Sequence, residues 1–142
     1  MEVRIKRVDT SLELPKYETA GSAFFDLLVR EEVRIGAGEI GFLPLNIVVQ
    51  TPEGYFLLLV PRSSTPIRHG LLIPNGIGVI DPDYQGDEDE IKLLVYNFTK
   101  KPVVVKRGER IAQAGFVPVE KVKWSEVMTM PAQSRGGFGS TG

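Results

Sequence analysis

The sequence predicts an all-β domain of the sandwich or barrel kind, with at most one short helix. Three observations predict it. Apolar and charged residues alternate in short segments, which is the period of a half-buried strand. Glycine and proline turn signals separate these segments at close spacing. Pro or Gly also interrupts nearly every window long enough to show a 3.6-residue period, so many short strands remain as the building material.

In chain order, the expected strands are Val3-Arg4-Ile5-Lys6-Arg7-Val8, Val33-Arg34-Ile35, Asn46-Ile47-Val48-Val49, the apolar run from Tyr55 to Val60, the segment from Ile91 to Tyr96, and Val103-Val104-Val105. Turns are expected at Gly36-Ala37-Gly38, Pro52-Glu53-Gly54, Pro74-Asn75-Gly76 and Lys106-Arg107-Gly108. One helical turn fits Thr65 to His69, with Thr65 as the cap and Pro66 in the first helical position. The last nine residues, from Ser134 to Gly142, hold four glycines and are too glycine-rich to form a regular element alone. The expected organisation is one β domain over residues 1–133 and a flexible arm of that domain over 134–142.

The chain has 142 residues, the size of a single domain with a real core. Lys and Arg number 17 against 18 Asp and Glu, a net charge of -1, so no global field draws the protein to nucleic acid or anionic lipid. There is no cysteine, which removes disulfides, thiolate metal sites and thiol nucleophiles. The N-terminal stretch lacks the apolar core of a signal peptide. The longest apolar run, Phe56 to Val60, is far short of the roughly 20 residues of a membrane-spanning helix. A cytoplasmic protein is expected, with neither a membrane nor nucleic acid as partner.

Chemistry concentrates in four places. Asn75-Gly76-Ile77-Gly78-Val79-Ile80-Asp81-Pro82-Asp83-Tyr84-Gln85-Gly86 reads as a hairpin offering backbone groups to a ligand, with Asp81 at a strand end, partly buried and able to orient a water as general base. A plain acidic turn is the alternative. Pro61-Arg62-Ser63-Ser64-Thr65 delivers a guanidinium and hydroxyls suited to phosphate oxygens, or a surface turn with an ion pair. Arg107-Gly108-Glu109-Arg110-Ile111-Ala112-Gln113 reads first as a turn and a strand. Phe138, between two glycines, is an aromatic on a hinge, fit to close over a planar ligand with Gly139, Ser140 and Thr141 beside it, or a plain tail. His69, the single histidine, reads as structural, and Asp87-Glu88-Asp89-Glu90 as a solvated loop.

Taken in this order, the segments resemble the five motifs of the trimeric dUTP pyrophosphatase family along almost the whole chain. Ala23-Phe24-Phe25-Asp26-Leu27 is similar to the first, Pro61-Arg62-Ser63-Ser64 to the second, the stretch from Gly78 to Gly86 to the third, that from Arg107 to Gln113 to the fourth, and that from Gly136 to Gly142 to the fifth. The resemblance implies a distorted β jelly roll assembled as a homotrimer, each active site built from three chains and closed by a C-terminal arm. It implies hydrolysis of dUTP to dUMP and pyrophosphate with magnesium, limiting uracil incorporation into DNA and supplying dUMP for thymidylate synthesis. Asp81 would activate the water that attacks the α-phosphorus. Arg62, Ser63, Ser64, Gln113 and Ser140 would belong to the phosphate-binding set, and Asp26 would support hydrated magnesium through water. Tyr84 would exclude a ribose, the segment from Asn75 to Gly78 would pair with uracil, and Phe138, beside Gly139, would stack on it. Three features depart from the family pattern: Phe24 replaces a glycine, Asp87-Glu88-Asp89 is inserted, and Gln133 takes the place of an arginine whose role passes to Arg135. The rival readings are a dCTP deaminase of the same fold and a non-catalytic nucleotide-binding trimer.

Overall fold

The computed structural model describes residues 1–139. In chain order its elements are β1 (Ile5–Arg7), β2 (Phe25–Leu28), β3 (Val33–Ile35), β4 (Ile40–Pro44), β5 (Ile47–Val49), β6 (Tyr55–Pro61), α1 (Thr65–His69), β7 (Leu71–Leu72), β8 (Gly78–Ile80), β9 (Lys92–Asn97), β10 (Val103–Val105) and β11 (Arg110–Pro118). All pairings are antiparallel. The largest sheet runs β2-β11-β6-β8, a second runs β4-β9-β7, and the pairs β1-β5 and β3-β10 complete the set.

One hydrophobic cluster joins these sheets. Leu27 from β2, Leu43 from β4, Ile47 from β5, Leu57 and Leu59 from β6, Leu93 from β9 and Ile111 from β11 are almost wholly excluded from solvent. Alternation along β6 explains the two leucines, since residues 57 and 59 share the inner face. Phe56, Leu58 and Val60 then point outward and remain half-buried. A strand apolar on both faces is the composition of one covered on both faces, yet this chain covers only the inner one.

The segments around residues 33–35 and 103–105 form strands with the expected bounds. Strands β2 and β4 carry weak alternation, because Asp26 interrupts the first and Gly41 and Pro44 the second. The helix falls where expected, but its cap does not. Ser64 holds the N-cap position without a side-chain cap bond, while the Thr65 hydroxyl donates to the buried Ile111 carbonyl at 2.8 Å. That bond ties the start of α1 to β11.

The acidic run is not uniformly solvated. Glu90 is buried and accepts from Arg30 Nε at 2.8 Å and Arg30 Nη2 at 3.1 Å. Its Oε1 also takes the Asn46 backbone N–H at 3.0 Å. This pairing raises the already high pKa of Arg30, with the Glu90 hydrogen bond as the main cause. Asp87 stays exposed, paired with Lys6 at 2.7 Å, and Asp89 is half-buried, accepting from the Gly86 N–H at 2.7 Å.

After β11, residues 119–139 contain no helix or strand and lie exposed. Trp124, Met128 and Phe138 are almost entirely in solvent there. No helix among the described residues is long and apolar enough to cross a membrane.

Candidate active site

The outer face of the large sheet carries the polar residues singled out above. Gln113 on β11 stands between Asp26 on β2 and Val60 on β6, so the three form one cross-strand row. Arg62 follows the end of β6. Its Nε lies 3.2 Å from Asp26 Oδ2, but no donor is aligned for a hydrogen bond to that buried oxygen. The contact is a charge pair rather than a fixed bond. Gln113 Nε2 donates to the Pro61 carbonyl at 3.2 Å, which holds its amide against the strand end. Together Asp26, Arg62, Ser63, Gln113, Phe24 and Glu18 line a pocket of about 280 Å³. Ser64 lies just beyond, half-buried at the start of α1.

Asp81 belongs to a different part of the same sheet. Ile80 is opposite Leu57 on β6, so Asp81 comes level with Phe56, near the beginning of that strand. Arg62 lies beyond the opposite end, roughly 20 Å away at about 3.3 Å per residue. Asp81, Asp83, Glu53, Tyr55, Val119 and Lys121 line a separate cavity of about 520 Å³. The Asp81 side chain is exposed rather than partly buried, because β8 ends at Ile80 and the chain turns there, with Tyr84 N–H donating to the Asp81 carbonyl at 3.1 Å.

The segment from Asn75 to Gly78 does not form a paired hairpin among the described ladders. Strand β7 pairs with β9 and β8 pairs with β6, so the two elements that flank the turn go to different sheets. The turn itself is held by Gly76 N–H to the Ile73 carbonyl at 3.1 Å and Asn75 Nδ2 to the Ile77 carbonyl at 3.0 Å. Gly78 is required by packing, since a Cβ there would stand 2.9 Å from the Leu59 Cβ. Tyr84 donates from its hydroxyl to the Glu90 carbonyl at 3.2 Å, which fixes the ring over the acidic turn.

Arg135, Phe138 and Gly139 form a third group, exposed on the C-terminal segment. Phe138 has φ 46 and Gly139 φ 93, a left-handed pair that suits glycine and is uncommon for an aromatic. Ser140 lies outside the described residues. A single chain thus brings Asp26, Arg62, Ser63 and Gln113 together, and leaves Asp81 apart from them.

Two residues at these pockets carried no signal in the sequence. Glu18 lines the Asp26 pocket and pairs with Arg110 at 2.7 Å, and Lys121 is the cation lining the Asp81 cavity. Each stands outside any spaced motif, so only the folded chain reveals it. His69 pairs with Glu109 at 3.3 Å and lines neither pocket.

Known proteins share this architecture. A solved dUTPase from Streptococcus mutans, a β jelly roll, is 35% identical and covers 84% of this chain and 98% of its own, with a TM-score of 0.77. The dUTPase of Staphylococcus bacteriophage 80alpha, solved with dUPNHPP, reaches a TM-score of 0.87 at 24% identity over 99% of this chain and 98% of its own, a likeness of fold alone. Among curated relatives, the deoxyuridine 5'-triphosphate nucleotidohydrolase of Dictyoglomus turgidum is 42% identical over 100% of this chain and 99% of its own length. That of Rickettsia prowazekii is 39% identical over 100% and 97%. The dUTPase family model matches residues 10–142, a span that takes in every site residue described above, and the chain therefore belongs to the dUTPase family.

Proposed function

We propose that this protein hydrolyses dUTP to dUMP and pyrophosphate, in active sites shared between copies of the chain. The observation that carries the shared site is the register of β8 on β6, which separates Asp81 from Arg62 and Gln113 by the length of a strand. One nucleotide cannot engage both ends within a single chain. The half-exposed apolar residues Phe56, Leu58 and Val60 lie between those ends, and a second copy seated there would cover them and bring its own Asp81 to Arg62. A cyclic homotrimer satisfies this with heterologous contacts that close on themselves.

Within such a site, Asp81 orients the attacking water and takes its proton as the bond to the α-phosphorus forms. Arg62 and Gln113, with the hydroxyls of Ser63 and Ser64, hold phosphate oxygens, the guanidinium neutralising part of the triphosphate charge. Pyrophosphate then departs. The segment from Asn75 to Gly78 reads the uracil edge through backbone groups, where a base with the wrong donors leaves buried groups unpaired and is strongly rejected. Tyr84 lies against the sugar. Residues 134–142 serve as the closing arm, with Arg135, Gly139 and Ser140 at the phosphates and Phe138 on the base.

The residues present fit a magnesium ion. Asp26 Oδ2 is buried without an aligned donor, the state of an acceptor reserved for the water shell of a hydrated cation, and Mg²⁺ is held by few carboxylates together with substrate phosphates. When bound, the ion neutralises part of the triphosphate charge.

Pyrophosphate and ammonia release should be measured with magnesium on dUTP, dTTP, dCTP and UTP separately. Pyrophosphate from dUTP alone is expected. Ammonia from dCTP would transfer the assignment to a deaminase, and silence on all four nucleotides would refute an enzymatic role.

A further inference from the structure

The pocket around Asp26 has an apolar wall made by one residue. Phe24 lies two positions before Asp26, so alternation places both side chains on the outer face of the sheet. Phe25 is opposite Ala114, which brings Gly115 level with Phe24. A Cβ built on Gly115 would stand 2.5 Å from Phe24 Cδ1 and 2.7 Å from Cε1. The ring therefore rests on bare backbone, and any larger residue at 115 would displace it. Beyond Gly115 the row continues through Leu58 to Val79. Phe24 thus stands where this apolar row meets the polar row of Asp26 and Gln113, and it lines the same pocket as they do.

We propose that Phe24 is a positioning residue for the triphosphate: seated on Gly115, its ring walls the pocket beside the contact between Asp26 and Arg62 and so holds the Arg62 guanidinium toward the phosphate oxygens. The inference rests on the dUTP-hydrolysing reading above. A charge pair 3.2 Å apart with no aligned hydrogen bond does not by itself fix the direction of the guanidinium, so the wall beside it does. Without the ring, the guanidinium is released to other directions. In the shared site the attacking water is handled by Asp81 of another copy, whose position is set by that copy's own β8 and the turn after it. Binding should weaken while the chemical step is preserved.

The test is steady-state pyrophosphate release from dUTP, with thermal melting, for the native protein and the variants Phe24→Ala, Phe24→Leu, Gly115→Ala and Phe24→Ala/Gly115→Ala. Phe24→Ala is expected to raise KM about three- to tenfold with kcat within about twofold, the pattern of lost uniform binding. Phe24→Leu, which keeps an apolar wall, should lie near the native KM. Gly115→Ala should reproduce the Phe24→Ala defect by expelling the ring, and the double variant should be no worse than either single one. Native KM in Phe24→Ala or in Gly115→Ala would overturn the proposal, as would additive effects in the double variant. If Phe24→Ala did not fold, the comparison of Gly115→Ala with Phe24→Leu would decide alone, native KM in the former again overturning it. Native protein inactive on dUTP would refute the underlying reading, whereas active native protein with indifferent variants would refute only the role of Phe24.

Discussion

Ile80 stands opposite Leu57, and that single register places Asp81 and Arg62 at opposite ends of β6. Variants at these two residues should therefore complement each other. Asp81→Asn and Arg62→Ala, each deficient alone, should recover activity when unfolded together and reassembled in equal amounts. With random assembly of a cyclic oligomer, a site takes a native Asp81 and a native Arg62 from different chains with a chance of roughly one quarter. Activity near that fraction is expected in the pyrophosphate assay. No recovery above the separate variants would mean that each site lies within one chain.

Asp26 offers a buried oxygen with only a guanidinium beside it. Replacing the carboxylate by an amide in Asp26→Asn should raise the magnesium concentration giving half-maximal dUTP hydrolysis by about 10- to 100-fold, the usual cost of losing an outer-shell partner. A magnesium titration of both proteins measures it. An unchanged midpoint would remove Asp26 from any part in holding the ion.

Much of the fold was legible because its signals are local. Alternation marked Val33–Ile35 and Val103–Val105, and the proline of the Thr65–His69 helix marked its start. Pairing is not local, and here the sequence was silent. Glu90 reads as the fourth acid of a run, but its burial is decided by Arg30 and the Asn46 amide, both far away in the chain. The motif residues were likewise legible as types in an order. Their division between two pockets depends on which residue of β8 faces which residue of β6, a relationship no spacing encodes.

The pair between Arg30 and Glu90 is the ion pair whose loss should be felt in stability. Glu90→Ala leaves a guanidinium without its two-point acceptor and the buried Asn46 N–H without its own. Arg30 is partly exposed and keeps Glu31 at 3.3 Å, so the expected cost is about 1–3 kcal/mol, that of leaving a buried donor unsatisfied. Lys6→Ala, which removes an exposed pair with Asp87, should cost at most about 1 kcal/mol. Urea unfolding of the two variants compares them directly, and equal losses would contradict this account.

Asp9 supplies a pH dependence. Its carboxylate accepts from the Ser11 hydroxyl at 2.6 Å, from Arg107 at 2.8 Å and from the Ser11 N–H at 2.9 Å. These bonds, the Ser11 hydroxyl first, hold its pKa well below the usual carboxylate range. A depressed folded value means that the contribution is fully present above the unfolded value of about 3.9 and is lost as pH falls through the folded one. Asp9→Asn should thus be less stable than the native protein at neutral pH and lose less of its stability on acidification below about pH 4. Parallel curves of unfolding free energy against pH would show that the carboxylate contributes nothing.

Phe138 is fully exposed on a glycine-flanked stretch, so its truncation removes no packing from the described chain. Phe138→Ala should melt at the native temperature. If the ring stacks on the base when the arm closes, its loss forfeits an interaction of about 1–3 kcal/mol per base, or about 5- to 150-fold in kcat/KM for dUTP. Phe138→Trp, which keeps an aromatic face, should retain most of that activity. The pairing of an unchanged melting temperature with a fall in kcat/KM separates a closing arm from a structural tail, because a tail would move neither quantity and a packed residue would move both. Full activity in Phe138→Ala would leave the base without its aromatic cover and the arm without its proposed purpose.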